Sequence, residues 1–167
     1  MAFIIDTNIF IEAKNEYYAF DIVPSFWPAL LDAFQKGQVV TIDAVADEIQ
    51  RKEDNLAEWF NQNVSNDKTF ILSAKADEGV VSCYSTIASN VMQSVQYSED
   101  SKRKFLGVSV ADPWIIAAAR TWNHTVVTNE TPVGPTGKKV KIPDICQQMK
   151  VTYTNLFDMM RNLHIQI

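Results

Sequence analysis

Acidic side chains are the residues of this sequence whose positions indicate chemistry. Asp6 follows a short apolar run, and Glu130 follows the β-branched segment 125–128. Glu48 and Asp112 lie near the predicted starts of two helices. Carboxylates collected from distant parts of a chain are ligands that hard cations such as Mg²⁺ and Mn²⁺ prefer. Because a metal-bound water has a lowered pKa and attacks phosphorus in line, such a site would suit phosphodiester hydrolysis.

The elements that must position these acids alternate between strand and helix. Apolar and β-branched runs predict strands over residues 3–5, 39–42, 70–72, 125–128 and 151–153. Helical periodicity predicts helices between them, including one over residues 80–95, whereas the polar residues 96–110 are expected to be flexible. This alternation implies a parallel sheet covered on both faces, whose ligands bind at the carboxyl ends of the strands. One edge of the sheet could therefore collect the acids.

Each acid also has a purely structural explanation. Asp6 and its two neighbours are residue types that cap helices, and Asp112 precedes a proline as an N-cap residue does. Glu48 alone would be an ordinary solvated helix residue, and Glu130 a loop acid. The functional interpretation therefore depends on the combination of these acids.

The composition is that of one ordinary globular domain covering residues 1–167. Hydrophobic residues make up 47% of the chain and charged residues 21%, which excludes a disordered or fibrous protein. The chain starts without the basic and long apolar segments of a secretory signal, and no stretch approaches the roughly 20 apolar residues of a membrane span. Cys83 and Cys146 are far apart and have no metal-ligand spacing. We therefore expect a cytoplasmic protein with reduced thiols and no membrane contact.

Together, the acids and their flanking residues resemble the PIN-domain nuclease family. The matching stretches are FIIDTNIF (3–10), VADEI (45–49), AD with IIAAA (111–112 and 115–119) and VVTNE (126–130). They follow one another in the family's order over most of the chain. The resemblance implies a three-layer α/β/α fold with a central, mainly parallel sheet, a Mg²⁺ or Mn²⁺ site, and metal-dependent endonucleolytic cleavage of RNA.

The resemblance carries Asp6, Glu48 and Asp112 over as catalytic metal ligands. The family usually has an Asp as its fourth acid, where this chain has Glu130, one methylene longer. Asp144 is the alternative fourth ligand, but it follows a Gly- and Pro-containing loop and could instead cap a short helix. Glu130 is preferred because it ends a strand at the sheet edge where Asp6 also lies.

Further expectations concern the surroundings of the ion and the partners of the protein. Three polar residues could orient ligands or waters around the ion, namely Thr7, Asn8 and Thr128. Within the family the sequence is most similar to toxins of the VapC type, which implies a cognate antitoxin and commonly a homodimer. The last predicted helix has an apolar stripe that could serve a dimer or belong to the core, formed by Leu156, Phe157, Met160 and Leu163.

Basic residues are the expected contacts to RNA. Lys138, Lys139 and Lys141 lie between the two candidate fourth acids and could hold phosphates, although a solvated loop explains them nearly as well. The segment 102–104, Lys-Arg-Lys, is equally ambiguous. A net charge of -5 is unusual for a nucleic-acid-binding protein, but the chain is neutral outside the acids if all five candidate ligands form one metal site.

Two other functions compete with this interpretation. A phosphatase with Asp6 as nucleophile would need an acid two residues later, where Asn8 stands. A PIN-like module that only binds or scaffolds would have lost or displaced its acids, whereas Asp6, Glu48 and Asp112 are all present. Dinucleotide and P-loop enzymes are excluded because their glycine-rich motifs are missing.

Overall fold

Five short strands form one central sheet in the computed structural model, which describes residues 1–167. The strands are β1 (Phe3–Ile5), β2 (Val39–Ile42), β3 (Ile71–Leu72), β4 (Thr125–Val127) and β5 (Tyr153–Thr154). They lie in the order β3-β2-β1-β4-β5, and every neighbouring pair is parallel. At the centre of the sheet, Phe3 of β1 is opposite Val39 of β2 and Thr125 of β4. The predicted parallel sheet is confirmed.

Helices connect these strands and cover the sheet. They are α1 (Thr7–Glu12), α2 (Phe26–Gln35), α3 (Asp43–Gln50), α4 (Asn55–Asn63), α5 (Glu78–Gln93), α6 (Glu99–Phe105), α7 (Asp112–Trp122), α8 (Ile142–Met149) and α9 (Leu156–Asn162). A π-helical turn (Ala13–Tyr17) extends α1, and a 3-10 helix (Ala74–Ala76) precedes α5. The connections that contain α1 to α4 run in one direction along the sheet and those that contain α5 to α8 run in the other, so crossovers of the usual right hand put the two sets on opposite faces. The predicted three-layer α/β/α architecture is confirmed.

The core lies against both faces of the central strands. Ile4 and Ile5 of β1 and Val126 and Val127 of β4 are completely buried, which explains why these strands are continuous apolar runs instead of alternating ones. Helix α7 packs against α5, α8 and β4, and its run of buried alanines allows this close approach. Tight packing here fixes the start of α7 relative to the end of β4.

The segment 96–110 differs most from the sequence-based expectation. It is ordered by α6, which begins after Ser98, whose hydroxyl accepts a hydrogen bond from the backbone N–H of Ser101. Only Phe105 and the stem of Lys102 are buried on this helix, so it lacks the apolar periodicity that predicts a helix. The expected flexibility of this segment is therefore wrong.

The last helix is used mainly by the core. Leu156 is completely buried and Met160 is 7% exposed, whereas Phe157 remains 42% exposed. Most of the apolar stripe therefore offers no surface to a second copy of the chain. No helix of the protein combines the length and the apolar composition that crossing a membrane requires.

Candidate functional site

The carboxyl ends of β1 and β4 lie side by side at the point where the strand order of the sheet reverses. The chain leaves β1 towards β2 on one side, and leaves β4 towards β5 on the other. Such a switch point leaves a crevice beyond the strand ends, which is the usual ligand site of open parallel sheets. Asp6 follows β1 directly, and Thr128 to Glu130 follow β4. The sheet thus brings two of the predicted acids to the same crevice.

Asp6 is the most deeply buried acid of the crevice, with 0% of its surface exposed. Its backbone N–H donates to the carbonyl of Val127, which ties the end of β1 to β4. Its carboxylate accepts from the hydroxyl of Thr128 at 3.1 Å and from the backbone N–H of Asn8 at 3.4 Å. Burial, the charge of Asp112 and the charge of Glu130 raise the pKa of Asp6 well above its usual value.

Glu48 links three elements around the crevice. It lies in α3, and its carboxylate accepts from the hydroxyl of Thr7 at the start of α1. Its other oxygen accepts from the backbone N–H of Ala111 at 2.9 Å, just before α7. This contact brings the start of α7 to the end of α3. The predicted solvated position of an isolated Glu48 is therefore not what the structure shows.

Of the acids of the crevice, Asp112 has the carboxylate with the fewest hydrogen-bond partners. Helix α7 begins at Asp112 itself, with Ala111 in the N-cap position, so the prediction that Asp112 caps the helix is wrong. No other residue donates a hydrogen bond to its carboxylate. Burial, followed by the charges of Glu130 and Glu48, raises the pKa of Asp112 to about 7, and the nearby ammonium of Lys141 opposes this shift.

Glu130 reaches the group from the end of β4. One carboxylate oxygen is 2.5 Å from the ammonium of Lys141, and the other accepts from the backbone N–H of Ile142 at 2.9 Å. The side chain of Glu130 is 17% exposed and that of Lys141 is 32% exposed. The charge of Glu130 raises the pKa of both Asp6 and Asp112, so it lies within electrostatic reach of both.

Asp144 is not brought to this group. Its two carboxylate oxygens accept from the backbone N–H groups of Val133 and Gly134, at 2.9 and 3.0 Å. Its charge raises the pKa of Tyr97 but is not among the causes that shift the pKa of Asp6 or Asp112. The expected cap of the helix is also wrong, because α8 begins two residues earlier, at Ile142. Asp144 fastens the loop after β4 to α8.

The three polar residues expected around the ion differ in their contacts. Thr7 donates to Glu48 and Thr128 donates to Asp6, so both hydroxyls orient a carboxylate. The hydroxyl of Thr128 also accepts from the backbone N–H of Glu130 at 3.2 Å. Asn8 contacts Asp6 only through its backbone, and its side chain is exposed. Thr128 therefore joins two acids of the crevice.

A cavity of about 340 Å³ opens beside Asp112. Its polar lining combines the loop before α8 with α6, through Lys139, Lys141, Ser98, Ser101, Asp100 and Lys104. The hydroxyl of Ser101 accepts from the backbone N–H of Val140 at 2.7 Å, which fixes the loop against α6. Of the three predicted phosphate contacts, Lys139 and Lys141 line this cavity, whereas Lys138 does not.

The sequence prediction missed the contribution of α6 to this cavity. Lys104 lines the cavity and pairs with Asp100 at 2.7 Å. Lys102, by contrast, is buried and donates to the carbonyl of Met92, so the basic run 102–104 does not act as one patch. The signal that predicts this helix is Ser98 followed by two acidic residues, which is typical of a helix start.

A second cavity lies around Glu48. Its lining includes Thr7, Asn8, Arg51 and Lys52. The guanidinium of Arg51 donates to the carbonyl of Ser109, at 3.1 and 3.2 Å, so this side of the crevice is also held to the segment before α7. Positive side chains thus line the cavity beside Glu48 as well as the cavity beside Asp112.

The donor set fits a hard divalent cation in its chemistry. The four carboxylates come from separate parts of the chain, and burial with mutual repulsion raises the pKa of two of them, so added positive charge would stabilise the ionised forms. No three acidic, histidine or cysteine side chains are close enough to form a ready-made metal cluster. Asp6, Glu48 and Glu130 each accept bonds from protein donors, which a cation would have to share or replace.

Comparison with known proteins gives a family and a fold. A family model described as a domain of unknown function, DUF4411, matches residues 3–167, and the chain belongs to this family. No curated protein is significantly similar to it in sequence.

A solved structure supports the fold. A chain of VapBC2 from Rickettsia felis, in a structure bound to a DNA fragment from their promoter, superimposes with a TM-score of 0.54. The superposition covers 93% of this chain and 98% of the other, at 16% sequence identity. At this identity the likeness concerns the fold, and it confirms the predicted PIN-like α/β/α class.

Proposed function

We propose that this protein is a divalent-metal-dependent endoribonuclease of the PIN type, the toxin of a toxin-antitoxin pair. The observation that carries the proposal is electrostatic: Asp112 and Glu130 both raise the pKa of Asp6, and Glu130 and Glu48 both raise the pKa of Asp112, near the switch point of the sheet. A bound Mg²⁺ or Mn²⁺ would activate a water and stabilise the charge of the phosphodiester as it is cleaved. The chain would supply the ligands, with Thr7 and Thr128 holding two of them in place.

The charge distribution around the acids supports a polyanionic substrate. The cavity beside Asp112 is lined by Lys104, Lys139 and Lys141, and the cavity beside Glu48 by Arg51 and Lys52. A strand of RNA crossing from one cavity to the other would place successive phosphates near positive side chains and one phosphodiester over the acids. This arrangement answers the objection raised by the net charge of -5.

Cleavage of RNA by purified protein tests the proposal. We expect Asp112→Asn and Asp6→Asn to lower the cleavage rate at least about 100-fold, comparable to removing a major electrostatic contribution at an active site. Asp144→Asn is the matched control, because it removes a buried carboxylate outside the crevice. Full activity of Asp112→Asn, or undiminished activity of the wild type in EDTA, would contradict the metal mechanism.

An antitoxin partner belongs to the same proposal. The fold is shared with a chain of VapBC2, whose structure was solved bound to a DNA fragment from their promoter. A partner that inserts an Arg or Lys among the acids would pair with their carboxylates in place of a metal ion. Copurification from the native host should yield a small protein with such a basic segment, and isolation of the chain alone under these conditions would count against a toxin.

A homodimer is a further part of the proposal. Of the apolar stripe, Phe157 is exposed and Leu163 is half-buried, whereas Leu156 and Met160 are buried in the core. Phe157 packs edge-on against Tyr17, which is 45% exposed, so these two rings are the accessible aromatic surface near α9. Sedimentation at micromolar concentration distinguishes a dimer from a monomer.

A binding or scaffold module is the second candidate function. It is favoured by one observation, namely that the carboxylates of Asp6, Glu48 and Glu130 are already bonded within the protein. Such a module would bind no Mn²⁺ at the acids, whereas the nuclease would. A phosphatase is disfavoured, because its nucleophile, Asp6, is completely buried.

A further inference from the structure

Lys141 is the one ammonium group paired with an acid of the crevice. Its Nζ is 2.5 Å from Glu130, and its charge also opposes the repulsion felt by Asp112. In the protein without metal it therefore provides part of the positive charge that a divalent cation would provide. Both oxygens of Glu130 are engaged by adjacent residues, Lys141 and Ile142, so a cation that binds Glu130 competes with this pair.

The side chain of Lys141 also borders the cavity beside Asp112. Lys141 lines the cavity beside Asp112 together with Lys139 and Lys104, and the hydroxyls of Ser98 and Ser101 complete the polar part of its wall. Three ammonium groups and two hydroxyls are suitable donors to phosphate oxygens. Lys104 is partly neutralised by Asp100, which leaves Lys139 and Lys141 as the main charges available to an anion there.

We propose that Lys141 exchanges partners during binding: it neutralises Glu130 while the acids hold no cation, and turns into the adjoining cavity to hold a substrate phosphate once a divalent cation binds. The inference rests on the proposed function and couples the binding of the divalent cation to the binding of RNA. Binding of the cation would release the ammonium for the phosphate, and the loss of that ammonium from Glu130 would be compensated by the cation. Lys141 would thus lower the affinity for the metal and raise the affinity for RNA only when metal is present.

Calorimetric titration of Mn²⁺ into the metal-free protein tests the first half of the exchange. Lys141→Met should bind Mn²⁺ at least about fivefold more tightly than the wild type, because the competing ion pair is removed. Lys139→Met and Lys104→Met are matched controls that remove charges from the same cavity without touching Glu130. They should change the affinity by no more than about twofold, since exposed charges farther away are screened. Lys141→Gln should repeat the effect if Lys141→Met folds poorly.

Binding of an uncleavable single-stranded RNA analogue, measured once in EDTA and once with Mn²⁺, tests the second half. Lys139→Met should reduce the dependence of log K on log salt by about 0.7 under both conditions, as for one lost phosphate contact. Lys141→Met should leave this slope unchanged in EDTA, because its ammonium is held by Glu130, and should reduce it by about 0.7 with Mn²⁺. An unchanged slope for Lys141→Met with Mn²⁺ would overturn the exchange.

The outcomes separate this inference from the proposed function. A wild type that binds no Mn²⁺ overturns both. A wild type that binds Mn²⁺, with Lys141→Met no tighter than Lys139→Met, overturns the exchange alone. A reduced salt slope for Lys141→Met in EDTA also overturns it, since the ammonium would then already contact phosphate.

Discussion

Glu130 lies at the start of the loop after β4 and Asp144 lies in the first turn of α8, and both carboxylates accept two hydrogen bonds from the protein. The bonds of Asp144 come from two backbone N–H groups of the loop itself, whereas Glu130 pairs with an ammonium that faces the crevice. Their electrostatic effects differ accordingly, because only Glu130 shifts the pKa of Asp6 and Asp112. Position after a central strand, and not the length of the acidic side chain, therefore decides which of the two carboxylates lies within electrostatic reach of Asp6 and Asp112.

The largest expected difference between the two acids is in catalysis. Glu130→Gln should lower the cleavage rate by about 100-fold, because it removes a charge next to Asp6 and Asp112. Asp144→Asn should remain within about threefold of the wild type, since ~0.6 kcal/mol is all that a displaced loop outside the crevice would cost. Initial rates of cleavage of one RNA substrate at saturating Mg²⁺ measure both. A larger loss in Asp144→Asn would exchange the two roles.

For the free energy of unfolding, the substitution of Asp144 should have the larger effect and the substitution of Glu130 the smaller one. Asp144→Asn leaves at least one of the N–H groups of Val133 and Gly134 with a weaker acceptor, at an expected cost of about 1–2 kcal/mol in the free energy of unfolding. Glu130→Gln loses its pair with Lys141 but also relieves repulsion, so we expect a change within about 0.5 kcal/mol. Urea denaturation in EDTA measures both, and equal losses would remove the distinction.

Neutralising Asp112 should stabilise the metal-free protein, whereas neutralising Asp144 should destabilise it. Its folded pKa, about 7, lies above its usual value of 3.8, so the folded state binds more protons than the unfolded state between these values. The metal-free wild type should therefore lose stability as the pH rises from about 4 to 7, and remain at the lower value above that.

The variant Asp112→Asn isolates this contribution. At pH 8 in EDTA it should be more stable than the wild type by at least about 1 kcal/mol, and the gain should vanish near pH 4. The carboxylate has no capping bond to lose, because α7 begins at Asp112 itself. If Asp112→Asn instead melts at a lower temperature than the wild type at pH 8, the charge of Asp112 is already compensated within the wild-type protein.

The smallest expected effect distinguishes two lysines of the same loop. Lys139 lines the cavity beside Asp112, whereas Lys138 does not. Lys139→Ala should lower the salt slope of RNA binding by about 0.7 and Lys138→Ala should leave it unchanged. Equal salt slopes for the two variants would indicate that this loop is solvated and that Lys139 contacts no phosphate.

The sequence predicted the parts of the molecule that depend on local pattern. The strands that carry Asp6 and Glu130 are buried on both faces, so their apolar runs and their ends are visible in the chain. The choice of Glu130 over Asp144 as a metal ligand rests on the same reasoning and stays a prediction. Predicting that Asp112 would be an N-cap residue failed because an Asp before a Pro is compatible with both the cap and the first helical position.

The remaining features depend on contacts between distant residues. Helix α6 has little apolar surface, so its presence is marked only by the cap at Ser98. The hydrogen bond from Ala111 to Glu48 joins residues 63 positions apart and has no local signature. The pair of Lys141 with Glu130 likewise depends on how the loop returns to the sheet edge, and no motif predicts it.

Titration of Mn²⁺ into metal-free protein, with wild type, Asp112→Asn and Asp144→Asn side by side, tests most directly whether the acids of the crevice form one cation site. We expect saturable binding to the wild type and to Asp144→Asn with similar affinity. Binding to Asp112→Asn should be at least about tenfold weaker, because the carboxylate of Asp112 is the one left free of other hydrogen-bond partners. Equal affinity of wild type and Asp112→Asn, or no binding to either, would contradict a single cation site formed by these acids.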